Sequence, residues 1–257
     1  MTGQALRPCH CVILAAGYAT RMYPLTQATP KPLLPVRGRP VIDYLIGKLL
    51  PLQVLGRVVV VTNHKFIDQF NEWASPWYAT LNLQVLDDGS TSNDDRLGAV
   101  GDLAFAVREA SLSGDLLVMA ADNHFDGSLD GFLSFAQSHG AAGGWASMGV
   151  YDLGDRSAAS RYGVVEVDRE HRVTRFLEKP PDPPSTLIAT GLYYLPSAAV
   201  ELLPRYRAEH PQQDAPGHWM AWLVREHRLY GYRLPGRWYD IGDLETFQRV
   251  QEAPVSG

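Results

Sequence analysis

The sequence predicts an α/β fold built on a doubly wound sheet, parallel in its first half and mixed in its second. Three observations predict it. Short apolar runs alternate with amphipathic segments through the first half of the chain, as strands alternate with helices around a parallel sheet. In the second half the apolar runs lie closer together and are joined by tight polar turns, which suits antiparallel pairs. No apolar run approaches the roughly 20 residues of a membrane span.

Taken in order, Cys11–Ala15, Arg57–Thr62, Leu83–Leu86 and Leu116–Ala120 are short, apolar and bounded by polar or glycine residues, the signature of buried strands. Val41–Leu50, Phe66–Trp73 and Leu103–Ala110 read as the helices between them. Strands are then expected at 144–150, Gly163–Val167, Arg172–Leu177 and Leu187–Leu195, with a polar hairpin tip inside Glu166–Val173. Four prolines between Pro180 and Pro184 remove four backbone donors and make a stiff loop. Helices return at Ala198–His210, His218–Glu226 and Leu244–Gln251, the last capped by Asp243.

Composition narrows the function. The 257 residues are 46% hydrophobic and 20% charged, and the net charge is −5, so a broad electrostatic grip on nucleic acid or an anionic membrane is not expected. Any phosphate binding has to be local. Both cysteines fall in Cys9-His10-Cys11. Neighbours on a strand point to opposite faces, so the tripeptide reads as structural rather than metal-binding. So few cysteines suit a reducing cytosol, and Met1–Pro8 lacks the basic and apolar regions of a signal peptide. The expectation is a cytoplasmic chain of one domain over residues 1–257. Its nucleotide-binding half would span about 8–125 and its second binding half about 126–245, with no repeat of the kind that builds a C-terminal β-helix.

The strongest chemical signal begins where the first strand ends. Leu14-Ala15-Ala16-Gly17-Tyr18-Ala19-Thr20-Arg21 is a small-residue loop followed by a cation, and Pro30-Lys31-Pro32 adds a second. Such a loop can aim backbone N–H groups at an anion. An arginine fork and a lysine point charge then suit a polyphosphate. A Gly-Ala-rich turn by itself is more often a plain strand-to-helix connection. The glycine spacing excludes a Walker A loop and the dinucleotide fingerprint. Asp122 ends the fourth predicted strand, where ligands of doubly wound sheets bind. A carboxylate there suits Mg²⁺, although an Asp-Asn pair is also an ordinary turn.

The whole string from Gly17 through Ala19, Arg21, Pro24 and Thr26 to Pro30-Lys31-Pro32 resembles the signature of the sugar-1-phosphate nucleotidyltransferases, also called sugar-nucleotide pyrophosphorylases. Ala19 stands where the second glycine of that pattern usually stands, and a loop slightly reshaped to suit alanine is expected. Three further blocks resemble the family in the same order. They are Ala121-Asp122-Asn123, then Tyr162-Gly163-Val164-Val165 with Glu178-Lys179-Pro180 and Thr190-Gly191, then Trp238-Tyr239-Asp240-Ile241-Gly242.

The resemblance implies a Rossmann-like nucleotide-diphospho-sugar transferase fold and Mg²⁺-dependent transfer of a nucleotidyl group from an NTP to a sugar 1-phosphate. It further implies that Arg21, Lys31 and Lys179 are catalytic, with Arg21 on the β- and γ-phosphates and Lys31 near the α-phosphate. Leu14, Ala15, Ala16, Gly17, Thr20, Gly98 and Gly101 would bind the nucleotide. Gly163, Glu178, Lys179, Thr190 and Gly191 would bind the sugar phosphate, and Asp122 and Asp240 the metal. Arg96-Leu97-Gly98-Ala99-Val100-Gly101-Asp102 resembles the loop that reads the base, here with backbone groups. The first block is most similar to thymidylyl- and uridylyltransferases, which suggests dTTP or UTP with glucose 1-phosphate. A cytidylyltransferase acting on phosphocholine or another phosphomonoester, and a non-catalytic regulatory or binding subunit, are the alternatives. Relatives of this kind are often dimers or tetramers, which leaves a homo-oligomer open. The acidic stretch Asp87–Asp95 reads as a solvated loop or as a lid.

Overall fold

A computed structural model describes residues 6–140, 143, 145–226 and 229–252. The first half contains strands β1 (Cys9–Leu14), β2 (Pro35–Val36), β3 (Arg39–Pro40), β4 (Leu55–Thr62), β5 (Leu83–Asp87), β6 (Leu116–Ala120) and β7 (Asn123–Phe125). Helices α1 (Val41–Leu49), α2 (Ile67–Ala74) and α3 (Gly98–Glu109) connect them. The strands β5-β4-β1-β6 lie side by side and parallel in that order. The chain therefore winds outward from β1 in one direction, returns, and lays β6 on the other side. A topological switch point opens beside the carboxyl ends of β1 and β6, where such sheets hold ligands.

Beyond it follow α4 (Leu129–Gly140), β8 (Ala146–Asp152), α5 (Arg156–Ala159), β9 (Gly163–Val167), β10 (Val173–Glu178) and β11 (Leu187–Leu195). The chain closes with α6 (Ser197–Val200), α7 (Leu203–Glu209), α8 (Pro216–Glu226), β12 (Leu229–Arg233), β13 (Trp238–Asp240) and α9 (Leu244–Glu252). The long strand β11 joins the two halves of the sheet. It runs antiparallel to β6 through Leu192–Leu195 and to β9 through Ile188, and it also pairs with β8. Its pairing is irregular between Ala189 and Tyr193, and Gly191 there has a φ of +71°. β6 and β9 thus leave residues 189–191 unpaired between them.

Period-two alternation splits the apolar residues between two layers. Cys9, Cys11, Ile13, Val58 and Val60 face α1, α2 and α4, whereas Val12, Val59, Val61 and Val118 face α3, α7 and α8. Both cysteines are buried free thiols, and burial pushes Cys9 up to about 12. His10 Nδ1 accepts the Arg57 N–H at 2.9 Å, so the tripeptide is structural.

Several elements differ from the sequence reading. The helix expected over Ala198–His210 is two, because Pro204 lacks an N–H and is accommodated only in the first turn of α7. α3 starts at Gly98, five residues before the expected boundary, and its first turn is fastened by the Val100 N–H to Asp214 O. The expected strand at 144–150 is found as Ala146–Asp152, and Gly144 lies outside the described residues. α4 and β12 were not anticipated. α4 carries Leu129, Phe132, Leu133 and Ala136 on its buried side, a helical period diluted by Asp130, Gly131 and Ser134. β12 has Gly231 at its centre, where a Cβ would press on Val167 and Val150.

The small β7–β13 ladder sets Asp240 opposite Asn123 and Trp238 opposite Phe125. The Trp238 indole N–H donates to Asn123 Oδ1 at 2.7 Å in a buried setting, and its ring packs against Tyr151 and Tyr162. Trp238→Phe leaves the Asn123 oxygen unpaired, so a loss of about 1–3 kcal/mol is expected. Urea unfolding measures it, and a variant as stable as the wild type would show that this bond does not fasten the ladder.

Candidate active site

Two adjoining cavities lie over the carboxyl ends of β1 and β6. The first, about 380 Å³, is lined by Leu14 to Gly17, Ala19, Lys31, Gly98, Ala99 and Asp102, and by Arg96 and Asp214 at its side. The second, about 300 Å³, is lined by Arg21, Arg161, Gly163, Glu178, Lys179, Thr190 and Asp240 among others. Ala120, Asp122, Gly191, Tyr193 and Pro216 line both. The shared wall is therefore the end of β6, the irregular stretch of β11 and the start of α8.

The small-residue loop is held from behind. Asn63 donates to Ala16 O at 2.9 Å, Thr26 to Ala19 O at 2.8 Å, and the buried Tyr18 hydroxyl to Ser90 O at 2.9 Å. A Cβ on Gly17 would meet nothing within 4 Å, so the backbone there faces open space, as close approach by an anion requires. Ala19 corrects the sequence reading. It adopts the left-handed conformation, φ 49° and ψ 42°, so the loop keeps the glycine-type backbone instead of reshaping around alanine.

Lys31 Nζ donates to Asp122 Oδ2 at 2.5 Å. Burial alone would lower the Lys31 ammonium, but Asp122 and Asp240 outweigh it and hold its pKa above the ordinary value. Asp240, at the end of β13, is half-buried. Burial and the Asp122 carboxylate push its pKa up, and Lys31 offsets this only in part. The Ile241 N–H bonds to Asp122 O at 3.3 Å and locks the two segments together. Two carboxylates facing one another beside a single ammonium fit a hard divalent cation, which takes oxygen ligands and few protein groups.

Across the second cavity, Lys179 has a φ of +47°, and its N–H bonds to Tyr162 O at 3.1 Å. The left-handed turn at the end of β10 is thereby fixed, and Nζ lies 3.5 Å from Glu178. Glu178 lies between two glycines, since a Cβ at Gly217 would overlap its carboxylate and one at Gly163 would come within 3.3 Å of it. Arg161, not singled out from the sequence, joins Arg21 and Lys179 around this cavity. It was legible only as the neighbour of Tyr162-Gly163.

The predicted residues thus separate. Leu14, Ala15, Ala16, Gly17, Lys31 and Gly98 line the first cavity, and Gly163, Glu178, Lys179, Thr190 and Asp240 the second, while Asp122 and Gly191 line both. Arg21, expected beside the outer phosphates of a nucleotide, lines the second cavity. Thr20 and Gly101 line neither, Gly101 being packed within α3 against Leu97. Asp243 caps α9 through the Thr246 N–H at 2.8 Å, as expected. In the acidic loop, Asp95 binds the N–H and hydroxyl groups of Thr91 and Ser92, while Asp88 is buried.

Asp102 ends the string that resembles the base-reading loop, but the sequence assigns its side chain no role. Burial first, then the carboxyl of Asp88, push it up to about 8.

Comparison with known proteins follows the same outline. A family model described as "Nucleotidyl transferase" matches residues 10–255. A Sulfolobus acidocaldarius protein provisionally named a mannose-1-phosphate guanyltransferase is 31% identical over 93% of this chain and 61% of its own length. The bifunctional protein GlmU of Methanococcus vannielii is 29% identical over 90% of this chain and 51% of its own. The chain spans little more than half the length of these relatives. A solved UDP-glucose pyrophosphorylase complexed with UDP-glucose superposes with a TM-score of 0.75 at 18% identity, covering 95% of this chain and 97% of the other. That likeness confirms the mixed α/β fold. No helix among the described residues is long and apolar enough to cross a membrane.

Two predictions follow from this geometry. Ala19→Gly relieves a left-handed alanine and is expected to stabilise the chain by about 0.5–1 kcal/mol; an unchanged thermal midpoint would mean the loop bears no strain. For Asp102, the folded chain holds its proton up to about pH 8, whereas an unfolded aspartate releases it near about 4. Folding takes up a proton between these values, so stability falls as pH rises through that window. Asp102→Asn removes this dependence, and its thermal midpoint should gain on the wild type from about pH 5 to about pH 8. Parallel pH profiles would show that Asp102 ionises freely in the fold.

Proposed function

We propose, on the premise that this chain belongs to the nucleotidyl transferase family, that it transfers a nucleotidyl group from an NTP to a sugar 1-phosphate and releases pyrophosphate. The observation that carries the reading is the junction of the two cavities at Asp122, beside Lys31 and Asp240. A nucleotide in the first cavity and a sugar phosphate in the second would bring their phosphates together there. The nucleotide half would then comprise about residues 8–125, completed by segments of β11 and α8.

Transfer of this kind needs little covalent help. A phosphate monoester is already anionic near neutral pH and can attack the α-phosphorus in line, with pyrophosphate leaving. Positioning and charge neutralisation therefore dominate. Asp122 and Asp240 would hold Mg²⁺, which supplies charge neutralisation at the phosphates. Lys31 would stand at the α-phosphate, held there by Asp122. Lys179, Arg161 and Arg21 would gather the incoming sugar phosphate, and Glu178 would accept hydrogen bonds from sugar hydroxyls. Thr20 and Gly101 have no contact role in this arrangement.

The finer reading of dTTP or UTP with glucose 1-phosphate is supported by the likeness of the phosphate loop to thymidylyl- and uridylyltransferases. The guanyltransferase name of one relative supports a different base. Phosphocholine is disfavoured as acceptor, because its cationic end would enter a cavity already lined by Arg21, Arg161 and Lys179.

Pyrophosphate release is expected with Mg²⁺, one NTP and a hexose 1-phosphate. Asp122→Ala and Asp240→Ala should each lower kcat by ~10²–10³-fold, as loss of one charge-stabilising group commonly does. Near wild-type turnover in both variants would remove the metal assignment. Silence with every NTP and a broad panel of phosphomonoesters would favour a binding role.

A further inference from the structure

We infer that Asp102, held by Asp88, selects the nucleobase, and that the base it selects is guanine. The inference rests on the nucleotidyl-transfer reading, because it requires a nucleotide in the first cavity.

Asp102 lies in the opening turns of α3 and lines that cavity together with Gly98 and Ala99. It is only 5% exposed, and Asp88, at the end of β5, is 9% exposed. One oxygen of each, Asp102 Oδ1 and Asp88 Oδ2, is buried with no hydrogen-bond partner among the described residues. The other Asp88 oxygen is engaged by the Ser90 N–H and hydroxyl, both at 2.7 Å. No ion pair reaches either carboxyl among the described residues, and the nearby Asp214 of the cavity wall is committed to Arg96 at 3.7 Å.

Orphaned buried acceptors are rare in folded proteins and call for an explanation. A single proton shared by the two carboxyls supplies one: the Asp102 O–H donates to Asp88. Burial and the adjacent Asp88 raise the Asp102 carboxyl, which agrees with that arrangement. The pair then retains one negative charge, and the remaining Asp102 oxygen can only accept.

An acceptor-only group discriminates between bases by their donors. The N3–H of uracil and thymine is flanked by two carbonyl oxygens, which such a group repels. Cytosine and adenine each offer an amino group beside a bare ring nitrogen. Guanine alone presents two adjacent donors, N1–H and N2–H₂. A site whose buried polar group stays unpaired with the wrong ligand rejects that ligand strongly.

The test compares wild type, Asp102→Asn and Asp102→Ala with GTP, UTP, dTTP, CTP and ATP. Each nucleotide is examined by calorimetric binding with Mg²⁺, and by kcat/KM with a panel of hexose 1-phosphates. Wild type should favour GTP by about tenfold or more in both readouts, and Asp102→Ala should abolish that preference. Asn can donate its amide N–H to Asp88 and still turn a carbonyl to the cavity, so Asp102→Asn should keep the preference within about threefold. A merely structural role would lower binding and kcat/KM for every nucleotide alike and leave the ratio between bases unchanged. Preference for any other base, or an Asp102→Ala that still prefers GTP, would overturn the inference. If GTP binds with this dependence on Asp102 but no pyrophosphate appears, nucleotidyl transfer fails and base selection stands. If no nucleotide binds, both fall.

Discussion

The meeting of Asp122, Asp240 and Lys31 is the constraint around which this molecule is organised. Carboxylates repel one another, and burial deepens the cost. Lys31 offsets it from one side, at 2.5 Å from Asp122. The β7–β13 ladder prevents the two aspartates from drifting apart, through the register that pairs Asp240 with Asn123 and the Trp238–Asn123 hydrogen bond. α9 in turn packs the C-terminal segment against the N-terminal loop through Val250, Ile241, Met22 and Val36. Residues far apart in sequence are thereby held at the junction of the two cavities by apolar packing, which tolerates the electrostatic cost at its centre.

Much of the sheet was legible because it follows from burial alone. β1, β4, β5 and β6 are apolar runs with nothing to confuse them. The small-residue loop after β1 was legible as a string of small residues and cations, and the aspartates and lysines beside it as blocks in a fixed order. What stayed hidden has physical reasons. Asp122 and Asp240 come together through a three-residue ladder too short to carry a period. α4 hides its buried side among glycine and aspartate. Asp102 was the last residue of a string read as offering only backbone groups to the base, and its partner Asp88 lay in a stretch read as a solvated loop or a lid, so their pairing through space could not be seen. Arg21 was assigned by motif to one end of a polyphosphate. Its place on the second cavity depends on the direction of the turn that starts at Ala19, which no spacing rule predicts.

Backbone strain is also gathered at the site. Ala19 and Lys179 are both non-glycine residues in the left-handed region, and each begins or ends a segment that delivers a cation. Such conformations persist where surrounding bonds over-determine them. Here the Thr26 hydroxyl bonded to Ala19 O and the Tyr162 carbonyl bonded to the Lys179 N–H do so.

The irregular stretch of β11 has a consequence for how this scaffold can change. On the edge where β6 and β9 part company along one strand, residues 189–191 have no strand partner, and all three line the cavity there. The width of the opening is consequently a property of strand topology, which no single substitution alters. The chemistry of the rim, by contrast, belongs to side chains on loops and helix starts, such as Asp102, Arg161 and Glu178. A lineage built on this frame can therefore exchange one substrate for another by rewriting its margins, while the geometry of the gap is inherited unchanged.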